Sequence, residues 1–246
     1  MKKWQVKTLI FLFLYIIVFQ TQASQKNIPK DIKIKKIWDS AEHNAFTDLI
    51  KFNGYYYCSF REGSVHFTGS NGVIRILKSK DAENWESVAL LKKQGIDLRD
   101  PKLSVTPDGR IMVIIGGSIY QEDKLLGREP QVSFSDKSGK NFLPPEKVTI
   151  DPEISSWGDW IWRVTWHNGI GYAIDYQVSP LELKGPATIY LVKTTDGKKF
   201  DKISKLNVDG FPNESTIRFD KKGIMYVLIR RELDDKMGIW AHSEAP

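Results

Sequence analysis

The stretch FTDLIKFNGYYYCSF, residues 46–60, sets two apolar-rich runs on either side of Asn53-Gly54. Glycine supplies the positive φ that a tight hairpin loop demands, so the runs 46–52 and 55–60 read as two antiparallel strands. The same arrangement recurs at Asp108-Gly109, Asn168-Gly169 and Lys222-Gly223, with the glycines 55, 60 and 54 residues apart. Strands are predicted before these loops at 102–106, 163–167 and 215–219, and after them at 110–115, 170–174 and 224–229. A third strand follows in each complete unit, for example at 72–78 and 187–193. No segment carries a long 3.6-residue apolar period, so the chain reads as all-β.

Beyond the third strand comes a polar turn that ends in an aromatic residue. It runs Ser79-Lys80-Asp81-Ala82-Glu83-Asn84-Trp85 in the first unit and Thr194-Thr195-Asp196-Gly197-Lys198-Lys199-Phe200 in the third. A degenerate copy spans Ser135, Asp136, Gly139 and Phe142. The Ser, Thr and Asp side chains of such a turn bond local backbone, and the aromatic is expected to plug between neighbouring sheets. Four strands repeated about every 55 residues are the mark of a propeller blade. The chain holds three complete units and the start of a fourth, so the expectation is a β-propeller of four-stranded blades that stops short of a closed ring.

The N-terminus has the layout of an export signal. Lys2, Lys3 and Lys7 are followed by an apolar stretch over 8–19 and by Thr21-Gln22-Ala23, a small-residue cleavage site. Those 12 apolar-rich residues are too few to anchor in a bilayer; a retained N-terminal anchor is the alternative. The expected layout is a signal over 1–23, a leader over 24–40 and the propeller over 41–246. The destination is periplasmic or extracellular, with no membrane span once the signal is removed. Removing 1–23 takes three lysines and no acids from a net charge of +6. The remaining charge is modest and lacks the basic-aromatic interleaving of a single-strand nucleic-acid binder, so no nucleic acid is expected. The single Cys58 excludes an internal disulfide and, inside an apolar run, reads as a buried structural thiol.

Propeller geometry places the functional residues. Inner strands start, and second strands end, on one face around the central channel. The starts give Thr47 and Asp48, Arg99 and Asp100, Trp162 and Arg163, Asn213 and Glu214. The ends give Arg61 and Glu62, Gly116 and Gly117, Asp175 and Tyr176, Arg230 and Arg231. Arginine offers a planar fork to anions and carboxylates act as acid or base, so this ring suits an anionic ligand; mutual pairing that ties the blades together is the structural alternative. His66 is a further candidate contact, His167 a structural residue. No His/Cys/Asp cluster has metal-ligand spacing, and neither metal nor cofactor is expected. Asn213-Glu214-Ser215 is formally a glycosylation sequon, discounted at a channel mouth.

The Ser/Thr-x-Asp turns resemble the Asp boxes of the sialidase (neuraminidase) superfamily. The fourth unit is similar to a more specific segment: Asn213-Glu214-Ser215-Thr216, then Lys222-Gly223, then Leu228-Ile229-Arg230, with Glu214 and Arg230 16 residues apart. The resemblance, over roughly residues 40–246, implies six blades in a full protein and exo-cleavage of a terminal sugar, sialic acid or another acidic sugar, from a glycan. It implies that Glu214 polarises a tyrosine nucleophile and that Arg230 holds the substrate carboxylate. It places the tyrosine and the third arginine in later blades, so this chain alone is expected to be inactive. Sialidases open their first blade with Arg-Ile-Pro, where this chain has Phe46-Thr47-Asp48. Arg61 or Arg99 is then expected to share the anion with Arg230, and Glu62 or Asp100 to act as general acid/base. Arg163 and Asp48 complete the expected substrate-binding set. A glycan-binding propeller without hydrolysis is the competing reading and a protein-interaction scaffold the third; a monomer is expected.

Overall fold

The computed structural model describes residues 32–66, 72–122, 124–177 and 187–244. The predicted signal at 1–23 lies outside them, as do the predicted leader's residues up to 31. From Ile37 on, the chain forms one compact unit. Among the described residues every regular element is a β-strand.

The first sheet is a meander of β1 (His43–Phe52), β2 (Tyr55–Gly63), β3 (Val73–Ser79) and β4 (Glu86–Leu91). The second has β5 (Asp97–Val105), β6 (Ile111–Gln121), β7 (Lys124–Arg128), β8 (Gln131–Phe134) and β9 (Glu146–Lys147). The third comprises β10 (Thr149–Ile150), β11 (Asp159–Ile161), β12 (Thr165–His167), β13 (Ile170–Gln177), β14 (Thr188–Thr194) and β15 (Lys199–Leu206). The fourth holds β16 (Pro212–Phe219), β17 (Met225–Arg231) and β18 (Ile239–Ser243). Successive sheets pack face to face, β1 on β5, β6 on β11 and β13 on β16, as four blades of a β-propeller.

Two blades depart from the plain four-strand unit. β6 runs long enough to pair with β7 beyond the end of its pairing with β8. In the third blade the inner strand is split into β11 and β12, both on β13, and β10 joins the outer edge parallel to β15.

Burial on both faces explains the continuous apolar runs. In β6, Ile111, Val113 and Ile115 enter the core shared with the first blade, with Tyr57, Ile74, Ile76 and Leu98. Met112 and Ile114 enter the core shared with the third, with Val132, Phe134, Val192 and Phe200. A strand covered on both sides has no polar alternation to show. A third core joins Ile174, Ile189 and Leu191 to Ile217, Val227 and Ile229 of the fourth blade.

The polar turns do the work their residues suggest. Ser79 Oγ accepts the Ala82 N–H at 2.9 Å, and Asp81 Oδ1 accepts those of Glu83 and Asn84 at 2.9 and 2.8 Å. Thr194 Oγ1 and Asp196 Oδ1 repeat this with Gly197, Lys198 and Lys199. Backbone donation, first from Asn84, holds the Asp81 carboxyl well below the usual carboxylate range. Phe200 plugs between the second and third blades as expected. Trp85 instead covers the opposite face of the first blade, on Cys58, Phe60 and Leu77 with Ile37 and Trp38. Burial, with Asp48 adding to it, pushes the Cys58 thiol up to about 11, which makes it a core residue rather than a nucleophile.

Candidate active site

One backbone device recurs at the inner strand of every blade. From Ala45 to Asp48 β1 spends three steps where β2 spends two, Arg61 to Ser59. The same single extra residue lies between Arg99 and Lys102 on β5 and between Pro212 and Ser215 on β16. In the third blade it falls between β11 and β12, across 162–164. A bulge leaves its residues unpaired and turns their side chains off the sheet. Phe46 and Asp100 take the positive φ values of 63° and 48° that such a kink requires. The bulges of β5 and β16 bring Asp100, Asn213 and Glu214 to one mouth.

At that mouth a cavity of about 240 Å³ is lined by Arg99 and Asp100 of β5, Arg128 of β7, Trp160 of β11, Tyr176 of β13, and Asn213 and Glu214 of β16. Phe211 and Glu232 close its rim. Trp160 reaches the wall because position 116 is glycine, where a Cβ would collide with its indole ring, while Gly117 makes room for the Glu129 carbonyl and Ile96. That is the structural meaning of the Gly-Gly pair at the end of the second strand.

Two of the cavity's carboxyl groups, Asp100 and Glu214, are shifted. Burial raises the Asp100 pKa against the opposing pull of Arg99, Lys102 and Arg128. Burial also raises that of Glu214; Arg230 opposes the shift and Asp100 adds to it, so the two acids feel each other. Asp100 is 7% exposed, whereas the Glu214 side chain is 36% exposed and stands 3.6 Å from Arg230. Burial, with Asp100 adding to it, holds the Tyr176 phenol well above its ordinary pKa, so it stays protonated.

The cavity's two arginines are not neutralised. Among the described residues neither Arg99 nor Arg128 closes an ion pair with a carboxylate, and the Nε of each is buried without a hydrogen-bond partner. Both lie over the Trp160 ring, at 5.7 and 5.0 Å from its centroid, and Arg99 also over Phe46 at 5.4 Å. Desolvation lowers the Arg128 pKa. Cations partly withdrawn from water and without an ion-pair partner beside an open cavity form a site for an anion.

Other residues expected at the mouth are engaged elsewhere. Arg61 is fully buried; its Nη2 meets Asp97 at 2.8 Å and its Nη1 donates to the Val65 carbonyl at 2.6 Å. Asp97 also accepts the Gly72 N–H, so Arg61 clamps the first two blades together and does not line the cavity. Glu62 is held by Nε and Nη2 of Arg75, each at 3.0 Å, and by the Trp38 indole at 2.6 Å, on the far face of the first blade. Asp48 and Arg163 pair with each other. Arg230 reaches Glu232 at 2.9 Å as well as Glu214. Asn213 is buried and donates to Glu232 at 2.7 Å, consistent with discounting the sequon. His66 meets His43 at 3.0 Å and lies against Phe46, while His167 stacks flat on Phe219. The cavity thus assembles Arg99, Asp100 and Glu214, with Arg230 beside them. Arg128, Trp160 and Lys102 had no signal in the sequence: Arg128 sits on the extra strand β7, and Lys102 reads as part of an apolar inner strand.

The sequence matches no protein-family profile and no curated protein. Its structure is similar to several solved propellers. A protein of unknown function from Dyadobacter fermentans superposes with a TM-score of 0.69 at 21% identity, over 82% of this chain and 65% of that one. The Trypanosoma rangeli sialidase in complex with 2,3-difluorosialic acid gives 0.62 at 13% identity, over 83% and 36%. A family 117 glycoside hydrolase from Zobellia galactanivorans gives 0.56 at 12%, over 82% and 66%. The chain therefore spans about two thirds of the first and third of these proteins and about a third of the sialidase. At these identities the shared property is the propeller fold, one on which glycoside hydrolases are built.

Proposed function

We propose that the protein is a glycoside hydrolase that removes a terminal acidic sugar, with sialic acid the leading candidate, and that it acts outside the cytoplasm, a reading supported by the export-type sequence of residues 1–23. One observation carries the reading: two carboxyl groups with raised pKa values share a cavity with two unneutralised arginines. Most glycoside hydrolases pair one protonated with one ionised carboxyl group, and in sialidases the ionised one serves a tyrosine nucleophile instead of attacking the sugar itself. The more deeply buried Asp100 keeps its proton longer and donates it to the leaving oxygen. Glu214, half-exposed beside Arg230, ionises first and takes the proton of the attacking group. Arg99 and Arg128 hold the sugar's anionic group, and Trp160 offers a face to its ring. Tyr176, kept protonated, contributes a hydrogen-bond donor at the wall.

The experiment, on the protein encoded by the complete reading frame, is release of sialic acid from a fluorogenic α-sialoside, run beside Glu214→Gln and beside glycosides of uronic acids and of neutral sugars. Turnover that collapses in the variant supports the reading. Saturable binding of the acidic sugar by a folded protein that turns over none of these substrates replaces it with a glycan-binding propeller.

A further inference from the structure

Lys102 lies on β5 two positions beyond Asp100 and is only 5% exposed. It directly follows the bulge that begins after Arg99. Its Nζ stands 4.3 Å from the centroid of the Trp162 ring, a contact from the third blade. The charges that act on it come from all four blades: Asp48 of the first, Asp100 of its own, Arg163 of the third and Glu214 of the fourth. A lysine is almost never buried without a partner. Among the described residues, none of the three acids closes a contact ion pair with it. It is a single cation suspended among them, with an aromatic face on one side.

We infer that Lys102 is a positioning residue for the acid pair: its buried ammonium is the counter-charge that lets one of the two carboxyl groups ionise while the other keeps its proton. The inference rests on the acid/base reading of Asp100 and Glu214. Two carboxyl groups withdrawn from water both tend to stay protonated, and the first to ionise raises the cost of ionising the second. A fixed positive charge offsets that cost for whichever acid is negative. Each acid has further charged neighbours. Asp100 feels Arg99, Arg128 and His66 besides Lys102, and Glu214 feels Arg230 and Glu232 besides Lys102 and Asp100. Of these cations, Lys102 acts on both acids. Burial opposes its charge and the three acids support it, so the coupling runs both ways.

The test is a carboxyl-carbon NMR titration of the whole chain, with Asp100 and Glu214 assigned from Asp100→Asn and Glu214→Gln. In Lys102→Met both midpoints move up; in Lys102→Arg, which keeps the charge, they stay close to wild type. Unmoved midpoints in a Lys102→Met protein with native near-UV dichroism overturn the inference. Should that variant not fold, the wild-type ammonium is followed instead by nitrogen-15 NMR. Its midpoint falls in Glu214→Gln and in Asp100→Asn, and a midpoint unchanged by either overturns the inference as well. These readouts need no substrate, so failure of the hydrolase reading and failure of the coupling are seen separately.

Discussion

Asp48 and Arg163 stand 115 positions apart in the chain and meet as a two-point ion pair at the propeller's centre. Arg163 Nη2 lies 2.7 Å from Asp48 Oδ1, and Nη1 lies 3.0 Å from Oδ2. The same carboxylate accepts the Leu103 N–H at 2.7 Å. One acid therefore ties together the inner strands of the first, second and third blades. Two residues that the sequence placed at a ligand mouth satisfy each other instead, and the charge available to a ligand falls to Arg99 and Arg128.

Removing that tie leaves a guanidinium and a backbone donor without partners. With side-chain exposures of 18% for Arg163 and 10% for Asp48, water compensates only in part. Asp48→Ala is expected to lower stability by about 2–4 kcal/mol. Asp48→Asn retains an acceptor for Leu103 and loses less. Chemical denaturation at constant pH orders the three proteins; equal midpoints for wild type and Asp48→Ala contradict the axial tie.

The polar turns yield a sharper comparison. Gly54 and Gly197 have similar positive φ values, 78° and 74°, but different surroundings. A Cβ on Gly54 meets nothing within 4 Å, whereas one on Gly197 lands 2.9 Å from Phe134 and 3.0 Å from Met112. Both alanine variants carry the left-handed penalty of roughly 1–2 kcal/mol. Gly197→Ala adds overpacking of about 1–3 kcal/mol, because the turn is wedged on the neighbouring blade. Thermal unfolding reads the difference directly, and equal losses at the two sites would remove the turn from the blade interface.

The repeat was open to reading because its carriers act locally. Asn53-Gly54 and Asn168-Gly169 set hairpins through backbone conformation alone, and Asp81 and Asp196 hold their turns within five residues. The site was legible in part, since Asp100 and Glu214 sit at strand starts that blade geometry places around the axis. What stayed hidden depends on contacts between blades. Arg61 looks like any mouth arginine until Asp97 and Gly72 close around it. Arg128 sits on β7, a strand added by the extension of β6, and no repeat position predicts it. The fate of Trp85 likewise turns on Ile37 and Trp38, which pack on the first blade's outer face although they fall in the predicted leader.

A buried acid pair on β11 and β13 gives stability a pH dependence. Asp175 is fully buried, and burial, reinforced by Asp159, raises its pKa to about 7. Gln177 bridges the pair, at 2.9 Å from Asp159 and 3.2 Å from Asp175. The folded value lies above the ordinary value of about 4, so the folded state keeps a proton that the unfolded chain releases. The resulting stability is fully present below about pH 4 and is lost as pH rises through 7. Asp175→Asn, permanently neutral, removes this slope. Between pH 5 and pH 8 the wild type should lose on the order of 2–4 kcal/mol more than the variant in denaturant titrations. Parallel losses would place the proton elsewhere.

For the acid/base pair, Asp100→Asn and Glu214→Gln are each expected to lower kcat roughly 10²–10⁴-fold. The base works ionised and the acid works protonated, which gives a bell-shaped profile. Since both groups titrate above the ordinary carboxylate range, both limbs lie above it too. Glu214→Gln flattens the acid limb of the residual activity and Asp100→Asn the alkaline limb. The reverse pattern would exchange the two roles.

The two unneutralised arginines make the last prediction, on substrate charge. Each guanidinium rests over Trp160 without a carboxylate partner among the described residues, so an anionic sugar meets two cations already partly desolvated on folding. Removing one forfeits a charge-assisted contact present in both ground and transition states, which appears in KM more than in kcat. Arg99→Ala and Arg128→Ala are each expected to raise KM for an acidic glycoside about 10–100-fold, from contacts of roughly 1.5–3 kcal/mol. The neutral analogue, with no charge to bind, should change by less than about threefold, since kcal-scale effects vanish with the contact. Steady-state kinetics on the matched pair decides it: equal KM increases for both substrates would assign the arginines to holding Trp160 and the cavity wall, not to the sugar's anionic group.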